Sequence, residues 1–192
     1  MKEFDVVHPD GIGVYLASKF LYGVNGLKER ITGSDFYIEL IQEGIKNSWS
    51  FYFFGDKEET LNRISVVNPQ LTILGFSEGY NFITENILKN IENLKPDILI
   101  VGLGSVKQEK WITENKQSIH AKVIIAVGDG TKVFAGNKKR GPKLIQMIGF
   151  EWLIRLFFEP KRLWKRYLVG IPLFILRIIK YKLSKQQLEN YD

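Results

Sequence analysis

The chain of 192 residues contains no cysteine and only two histidines, His8 and His120. Without cysteine there are neither disulfides nor thiolate metal ligands, which suits a reducing cytoplasm. The two histidines are too far apart in the sequence to suggest a histidine-rich metal site. There is also no Asp-x-Asp pair that would hold a nucleotide-bound divalent cation. These two observations argue against a histidine-rich metal site and against a nucleotide-bound divalent metal.

Long apolar segments and two common nucleotide motifs are also missing. The first residues, "MKEFDVVHPDG", have no apolar core of a secretory signal. In the C-terminal part the longest uncharged run is 167–176, whereas a membrane-spanning helix needs about 20 apolar residues. The patterns G-x-x-x-x-G-K-[ST] and G-x-G-x-x-G are not met, which argues against a P-loop NTPase and against a nicotinamide or flavin cofactor. We predict no cofactor.

Charge is unevenly distributed along the chain, although its net value is only +6. Residues 1–136 carry 14 Lys and Arg against 17 Asp and Glu. Residues 137–182 carry 12 Lys and Arg against only two acidic residues. A basic block of this density indicates a phosphate-bearing partner, such as nucleic acid, anionic lipid or a phosphorylated substrate.

Four apolar runs, each containing or ending in glycine, predict buried strands at 50–55, 71–75, 97–104 and 122–130. Polar segments with helical spacing lie between them, at 56–64, 84–94 and 106–116, and two further helices are expected at 13–23 and 34–44. This alternation predicts an α/β, Rossmann-like, mostly parallel sheet flanked by helices. We place this core at 1–141 and a basic, amphipathic, helical appendage at 142–192.

Two polar segments adjoin glycine turns, where ligands bind in such sheets. In "IVGLGSVKQEKWI" (100–112), Gln108 and Glu109 either occupy the first turn of a helix, where Glu suits the dipole, or contact a ligand. A Gln there offers both a donor and an acceptor to a sugar or base. In "HPDGIGV" (8–14), Asp10 is either a helix N-cap or a general base at the mouth of a site.

Motifs along most of the chain resemble those of one enzyme family, the WecG/TagA/CpsF glycosyltransferases (glycosyltransferase family 26). They are "PDGIGV" (9–14), "ERITGSD" (29–35), "FYFFG" (51–55), "NPQLTILGFSEGY" (68–80), "PDILIVGLGSVKQEKWI" (96–112), "VGDGTKVFAGNKKRGP" (127–142) and "GFEWLIRLFFEPKRLWKR" (149–166). The K-Q-E-x-W-I and G-x-E-W-x-x-R-L-x-x-E-P-x-R patterns are the most specific.

The resemblance implies transfer of an N-acetylmannosamine-type sugar from a UDP donor to N-acetylglucosamine on undecaprenyl diphosphate, without a metal and with inversion. Such products feed wall teichoic acid or surface polysaccharide synthesis. Asp10 matches the family's proposed base, Arg30 and Gln108 match pocket residues, and Arg155 and Arg162 match arginines that close over the site and neutralise diphosphate charge. The substrate-binding residues expected are Arg30, Gly102, Gly104, Lys107, Gln108, Glu109, Gly128, Arg155 and Arg162.

The sequence departs from the family pattern in two places that bear on activity. The family carries a further strand and helix before P-D-G, whereas eight residues precede Pro9 here. Lys132 in "VGDGTK" stands where the family has an Asp. These departures motivate an alternative function, a membrane-attached homologue that binds sugar nucleotides with little or no turnover.

The basic tail is expected to contact an anionic membrane surface through residues 142–183. The pattern of residues 152–183 predicts a pair of interfacial helices. Their aromatic side chains would anchor them in the membrane surface: Trp152, Phe157, Phe158, Trp164 and Tyr167. The alternative is a helix that packs on the core or on a second copy in a homo-oligomer. Nucleic acid ranks last, because the basic residues alternate with aliphatic ones rather than with Ser, Asn and Gln. The expected location is the cytoplasm, peripherally on the inner face of the cell membrane.

Overall fold

The computed structural model describes residues 4–137, 153, 156–157 and 160–189. Its contacts divide the chain into two compact units. The described residues of the first are 4–7 and 33–137, and those of the second include 8–32 and 160–189. Residues 8–32, which the sequence analysis assigned to the N-terminal core, thus cluster with C-terminal residues in this division.

The first unit alternates strands and helices, as predicted. In chain order its main elements are α2 (Gly33–Lys46), β1 (Ser50–Gly55), α3 (Glu58–Val67), β2 (Thr72–Ser77), α4 (Thr84–Leu94), β3 (Ile98–Gly102), α5 (Lys107–Asn115), β4 (Val123–Ala126) and α6 (Thr131–Phe134). A 3-10 turn, Gly128–Gly130, joins β4 to α6.

The four strands form one parallel sheet in the order β2-β1-β3-β4. All of β1 from Phe51 to Gly55 is buried, because helices cover both faces. Phe51 and Phe53 face one core, which includes Leu61 and Phe134. The intervening Tyr52 and Phe54 face the other core, which is built from α4 and α5. The predicted α/β parallel fold is confirmed.

Two strand predictions were too long at their carboxyl ends. The run 97–104 is a strand only to Gly102, because the chain turns before α5 with Gly104 at a φ of +84°. The run 122–130 is a strand only to Ala126, because residues 128–130 form the 3-10 turn and Gly128 has a φ of +54°. Both ends are loops at the carboxyl edge of the sheet. The corrections therefore concern the site region rather than the core.

At the opposite edge a carboxylate connects the starts of three strands. Asp97, just before β3, accepts hydrogen bonds on Oδ2 from the N–H and the hydroxyl of Ser50, each over 2.8 Å. Its Oδ1 lies 2.6 Å from Nζ of Lys122, just before β4. The hydrogen bond from Lys122, followed by those from Ser50, holds the pKa of the Asp97 carboxyl well below its usual range.

The second unit contains the helix that follows the P-D-G motif and the basic C-terminal helices. These are α1 (Ile12–Tyr22), α7 (Pro160–Trp164), a π-helical segment (Lys165–Val169) and α8 (Gly170–Glu189). Residues 160–189 are helical without a break, and the first member of the predicted pair of tail helices falls largely outside the described residues. In the described part of the chain, no helix combines the length and apolar character needed to cross a membrane.

Helix α1 packs on α8 through contacts in both its first and its last turn. Nζ of Lys182 donates a hydrogen bond of 2.9 Å to the backbone oxygen of Phe20 and lies 3.9 Å from the centre of its ring. The Phe20 carbonyl is in the last turn of α1, where a cation suits the helix dipole. The side chain of Phe174 approaches α1 at Gly13. The segment after Asp10 is therefore held by the basic tail.

Candidate functional site at the carboxyl edge of the sheet

Glycines at the carboxyl edge bring three backbone segments into direct contact. A Cβ added to Gly55 would overlap the backbone of Gly102, and one added to Gly79 would lie 2.8 Å from Cα of Gly55. A Cβ added to Gly102 would overlap the hydroxyl of Thr131, at the start of α6. The space beside Gly102 is thus filled by this chain itself. Beside Gly104, by contrast, no atom of the described residues fills the corresponding space.

The turn after β3 leads directly into the first turn of α5. Val106, the N-cap residue, has a φ of +72°, a conformation that is costly for a β-branched side chain. The N–H of Gln108 bonds to the oxygen of Gly104 over 3.1 Å. Lys107, Gln108 and Glu109 occupy the first helical turn, which for Gln108 and Glu109 is one of the two positions that the sequence suggested. Lys107 is exposed, whereas Gln108 is only 4% exposed.

The buried amide of Gln108 connects the loops that follow β3 and β4. Its Oε1 accepts a hydrogen bond of 2.8 Å from the backbone N–H of Gly128. Its Nε2 donates a hydrogen bond of 3.0 Å to Oε1 of Glu109. Oε2 of Glu109 is also buried and has no hydrogen-bond partner among the described residues. Three of the predicted site residues, Gln108, Glu109 and Gly128, are thus in one hydrogen-bonded chain.

Residues that the sequence analysis did not single out hold the Gly128 turn. The Tyr37 ring fills the space beside Gly130, and its hydroxyl lies 3.5 Å from the oxygen of Val127. Nδ2 of Asn68 donates a hydrogen bond of 2.8 Å to the oxygen of Phe134 at the end of α6. In the sequence, only the glycines of "GDGT" indicated a turn here. Tyr37 and Asn68 are distant from the turn in the sequence, so nothing local could identify them as its partners.

Lys132, the unusual residue of the "VGDGTK" motif, is on the surface of α6. Its Nζ lies 3.4 Å from Oδ1 of Asp129, and both side chains are about half exposed. A pair of this kind contributes about 0–1 kcal/mol. Within the described part of the chain no group of three or more His, Cys, Asp or Glu side chains could hold a metal ion.

Of the remaining predicted site residues, Asp10 and Arg30 belong to the second unit. Asp10 is exposed and lies one residue outside α1, because the N-cap position is occupied by Gly11 with a φ of +88°. The interpretation of Asp10 as the N-cap is therefore wrong. Arg30 is partly exposed and precedes α2. Arg155 and the side chain of Arg162, which is in α7, lie outside the described residues. That these residues share a site with Gln108 stays a prediction.

An α/β protein with a parallel sheet and a polar, glycine-lined carboxyl edge has the architecture of many nucleotide-dependent enzymes. Residues 1–188 match the sequence profile described as the glycosyl transferase WecG/TagA/CpsF family. The chain belongs to that family, as the motifs indicated.

Within this family, the chain is similar to two enzymes that carry the same name. The chain is 34% identical over 182 residues to the N-acetylglucosaminyldiphosphoundecaprenol N-acetyl-beta-D-mannosaminyltransferase of Bacillus subtilis (strain 168), covering 93% of this chain and 70% of that enzyme. It is 32% identical over 177 residues to the enzyme of the same name from Staphylococcus aureus (strain MRSA252), covering 90% and 68%.

Proposed function

We propose that this protein transfers an N-acetylmannosamine-type sugar from its UDP donor to N-acetylglucosamine carried on undecaprenyl diphosphate. The main support is the family match over residues 1–188, together with relatives whose names state the sugar that is transferred and the lipid-linked acceptor. The lipid-linked disaccharide formed would enter wall teichoic acid or surface polysaccharide synthesis.

The reaction is a displacement at C1 of the donor sugar. The acceptor hydroxyl oxygen attacks C1 while the bond from C1 to the diphosphate oxygen breaks, and the bonding electrons leave with UDP. Attack opposite the leaving group inverts the anomeric centre. A base must take the hydroxyl proton, and we assign this role to Asp10, whose exposed position ahead of α1 leaves it accessible.

The leaving diphosphate needs positive charge, which we assign to Arg155 and Arg162 in place of a metal. A guanidinium binds phosphate oxygens in pairs and stays charged, so it substitutes for a divalent cation. The observation in the described residues that best supports a sugar-nucleotide site is the buried Gln108 at the carboxyl edge. Among the described residues, Gln108 bonds to Gly128 and Glu109, which leaves its second Nε2 hydrogen for a ligand oxygen.

A lipid-linked acceptor requires access to the membrane surface, and we assign that contact to the basic tail. Helix α8 and the preceding π segment expose many large apolar side chains: Leu168, Val169, Leu173, Phe174, Ile175, Leu176, Ile179, Tyr181 and Leu183. Basic residues such as Arg177 and Lys180 lie among them. Apolar insertion and attraction to anionic headgroups would together place the protein on the inner face of the cell membrane.

The alternative, a homologue that binds sugar nucleotides with little or no turnover, is favoured by Lys132, which stands where the family has an Asp. One experiment separates the two. The protein is incubated with UDP-N-acetylmannosamine and a lipid-linked N-acetylglucosamine acceptor, with and without EDTA, and UDP binding is measured by calorimetry. Transfer that persists in EDTA supports the proposed enzyme, and UDP binding without transfer supports the alternative. Activity lost in EDTA and restored by Mn²⁺ would contradict the metal-free mechanism.

A further inference from the structure

The orientation of the Gln108 amide is determined by its two partners. The backbone N–H of Gly128 can only donate a hydrogen bond, so the atom of Gln108 that faces it must be the oxygen. The amide nitrogen then faces Oε1 of Glu109, which accepts its hydrogen bond over 3.0 Å. If Glu109 were replaced by an apolar residue, the bond to Gly128 would be the one that remains, among those to described residues, to orient the amide.

The burial of one carboxylate oxygen of Glu109 separates this role from a simple helix-dipole effect. A fully exposed Glu in the first turn of α5 would serve the dipole equally well. Here Oε2 is buried without a hydrogen-bond partner among the described residues, which carries a desolvation cost. The carboxyl group is thus drawn inward, toward the amide it contacts.

We propose that Glu109 is a positioning residue that acts through Gln108. By accepting one Nε2 hydrogen, it directs the amide so that Gln108 meets a substrate as a hydrogen-bond donor through its other Nε2 hydrogen. The catalytic consequence of this role rests on the proposed function. The structural part, an amide held between Gly128 and Glu109, does not depend on turnover.

The structural part is tested by nuclear magnetic resonance of the side-chain amide. The Nε2 signals of Gln108 are assigned by their loss in Gln108→Glu. In Glu109→Ala we expect one of the two hydrogens to shift upfield and to exchange faster with water, since its acceptor is gone. Glu109→Gln keeps an acceptor oxygen and should leave that hydrogen close to its parental shift. Glu114→Ala, which removes an exposed carboxylate from the same helix, is the matched control and should change neither.

The functional part is tested by a double-mutant cycle in the transfer assay. Glu109→Ala should lower kcat/KM on the order of tenfold or more, the usual effect of losing a hydrogen bond to a charged group. In the Gln108→Ala background the same substitution should have almost no further effect, because Glu109 acts only through the amide.

Reversal of the pair offers a second check that does not depend on an apolar variant folding. Gln108→Glu alone places two carboxylates side by side and should destabilise the fold. Adding Glu109→Gln supplies a donor amide opposite the new carboxylate and should restore much of the lost stability.

Unchanged Gln108 amide signals in Glu109→Ala would overturn the proposal whether or not the protein transfers sugar. Effects of Glu109→Ala and Gln108→Ala that simply add would also overturn it. If the parent protein shows no transfer, the proposed function fails, while the amide spectra still decide whether Glu109 positions Gln108.

Discussion

Oε1 of Gln108 lies 2.8 Å from the backbone nitrogen of Gly128, and this hydrogen bond joins the loops that follow β3 and β4. The two strands are neighbours in the sheet, so their loops meet at its carboxyl edge. The side chain of Gln108, at the start of α5, thereby helps to fix the position of the Gly128 backbone in the loop after β4. Gln108 of "VKQE" and Gly128 of "VGDG" are 20 residues apart in the sequence and are directly hydrogen-bonded in the fold.

Replacement of Asp10 by Asn should reduce turnover strongly and leave UDP binding nearly unchanged. A general base acts mainly in the transition state, where its loss typically costs about 10²- to 10⁴-fold in rate. Turnover is measured with the lipid-linked acceptor and binding by calorimetry. Comparable rates for Asp10→Asn and the parent would remove Asp10 from the catalytic machinery.

Substitution of Gly102 by Ala should destabilise the first unit, because the new methyl group would overlap the Thr131 hydroxyl. Overpacking of this kind costs about 1–3 kcal/mol in the free energy of unfolding. Removing the hydroxyl and methyl in Thr131→Ala opens that space, so the double variant should be more stable than the sum of the two single effects predicts.

Urea denaturation of the four proteins measures the Gly102 and Thr131 coupling. Additive effects would show that Gly102 and Thr131 are not in contact. The cycle therefore tests whether Gly102 is a packing position, independently of any ligand.

Asp97 should contribute a pH-dependent part of the stability. Its pKa in the folded protein is depressed, so the charged form is favoured by folding. The stabilisation should be fully present above the unfolded-state pKa of about 3.9, and it should decline as the pH falls through the folded-state pKa. The stability difference between the parent and Asp97→Asn should therefore be largest near neutral pH and shrink in acid. A difference that grows below pH about 4 would have the wrong sign.

Membrane association should have separable ionic and apolar parts. Changing Arg177 and Lys180 to Gln should weaken cosedimentation with anionic vesicles at low salt and have little effect at high salt, since salt screens only the charge term. Changing Ile175 and Leu176 to Ser should weaken it at both salt concentrations. Lys57→Gln with Lys89→Gln, in the other unit, makes the same charge change as a control. Equal binding by all of these variants would contradict a role for α8 as the anchor.

Much of the first unit was predictable because its strands lie in apolar runs that contain or are followed by glycine. The bounds predicted for β1 and α4 agree with Ser50–Gly55 and Thr84–Leu94. The strand order was not predicted, because helical connections of similar length permit several orders. The Gln108–Gly128 bond was equally inaccessible, since it depends on the three-dimensional meeting of two loops.

One of the two interpretations of Asp10, that it is the N-cap of α1, is wrong for a local reason. Asp is a better capping residue than Gly, but here the positive φ of Gly11 provides the turn into the helix. Propensity alone favoured Asp10, and the backbone requirement at Gly11 decided the boundary. The same glycine leaves Asp10 outside the helix.

In the proposed function this chain transfers a sugar, with Gln108 at the carboxyl-edge site. The most direct measurement follows UDP release and the lipid-linked disaccharide together, in the parent and in Gln108→Ala, with Glu114→Ala as the control. We expect equal amounts of the two products from the parent and the control, and a loss of about tenfold or more in Gln108→Ala, as for a hydrogen bond made to a reacting or charged group. Full transfer by Gln108→Ala, or UDP release from the parent without disaccharide, would contradict the account.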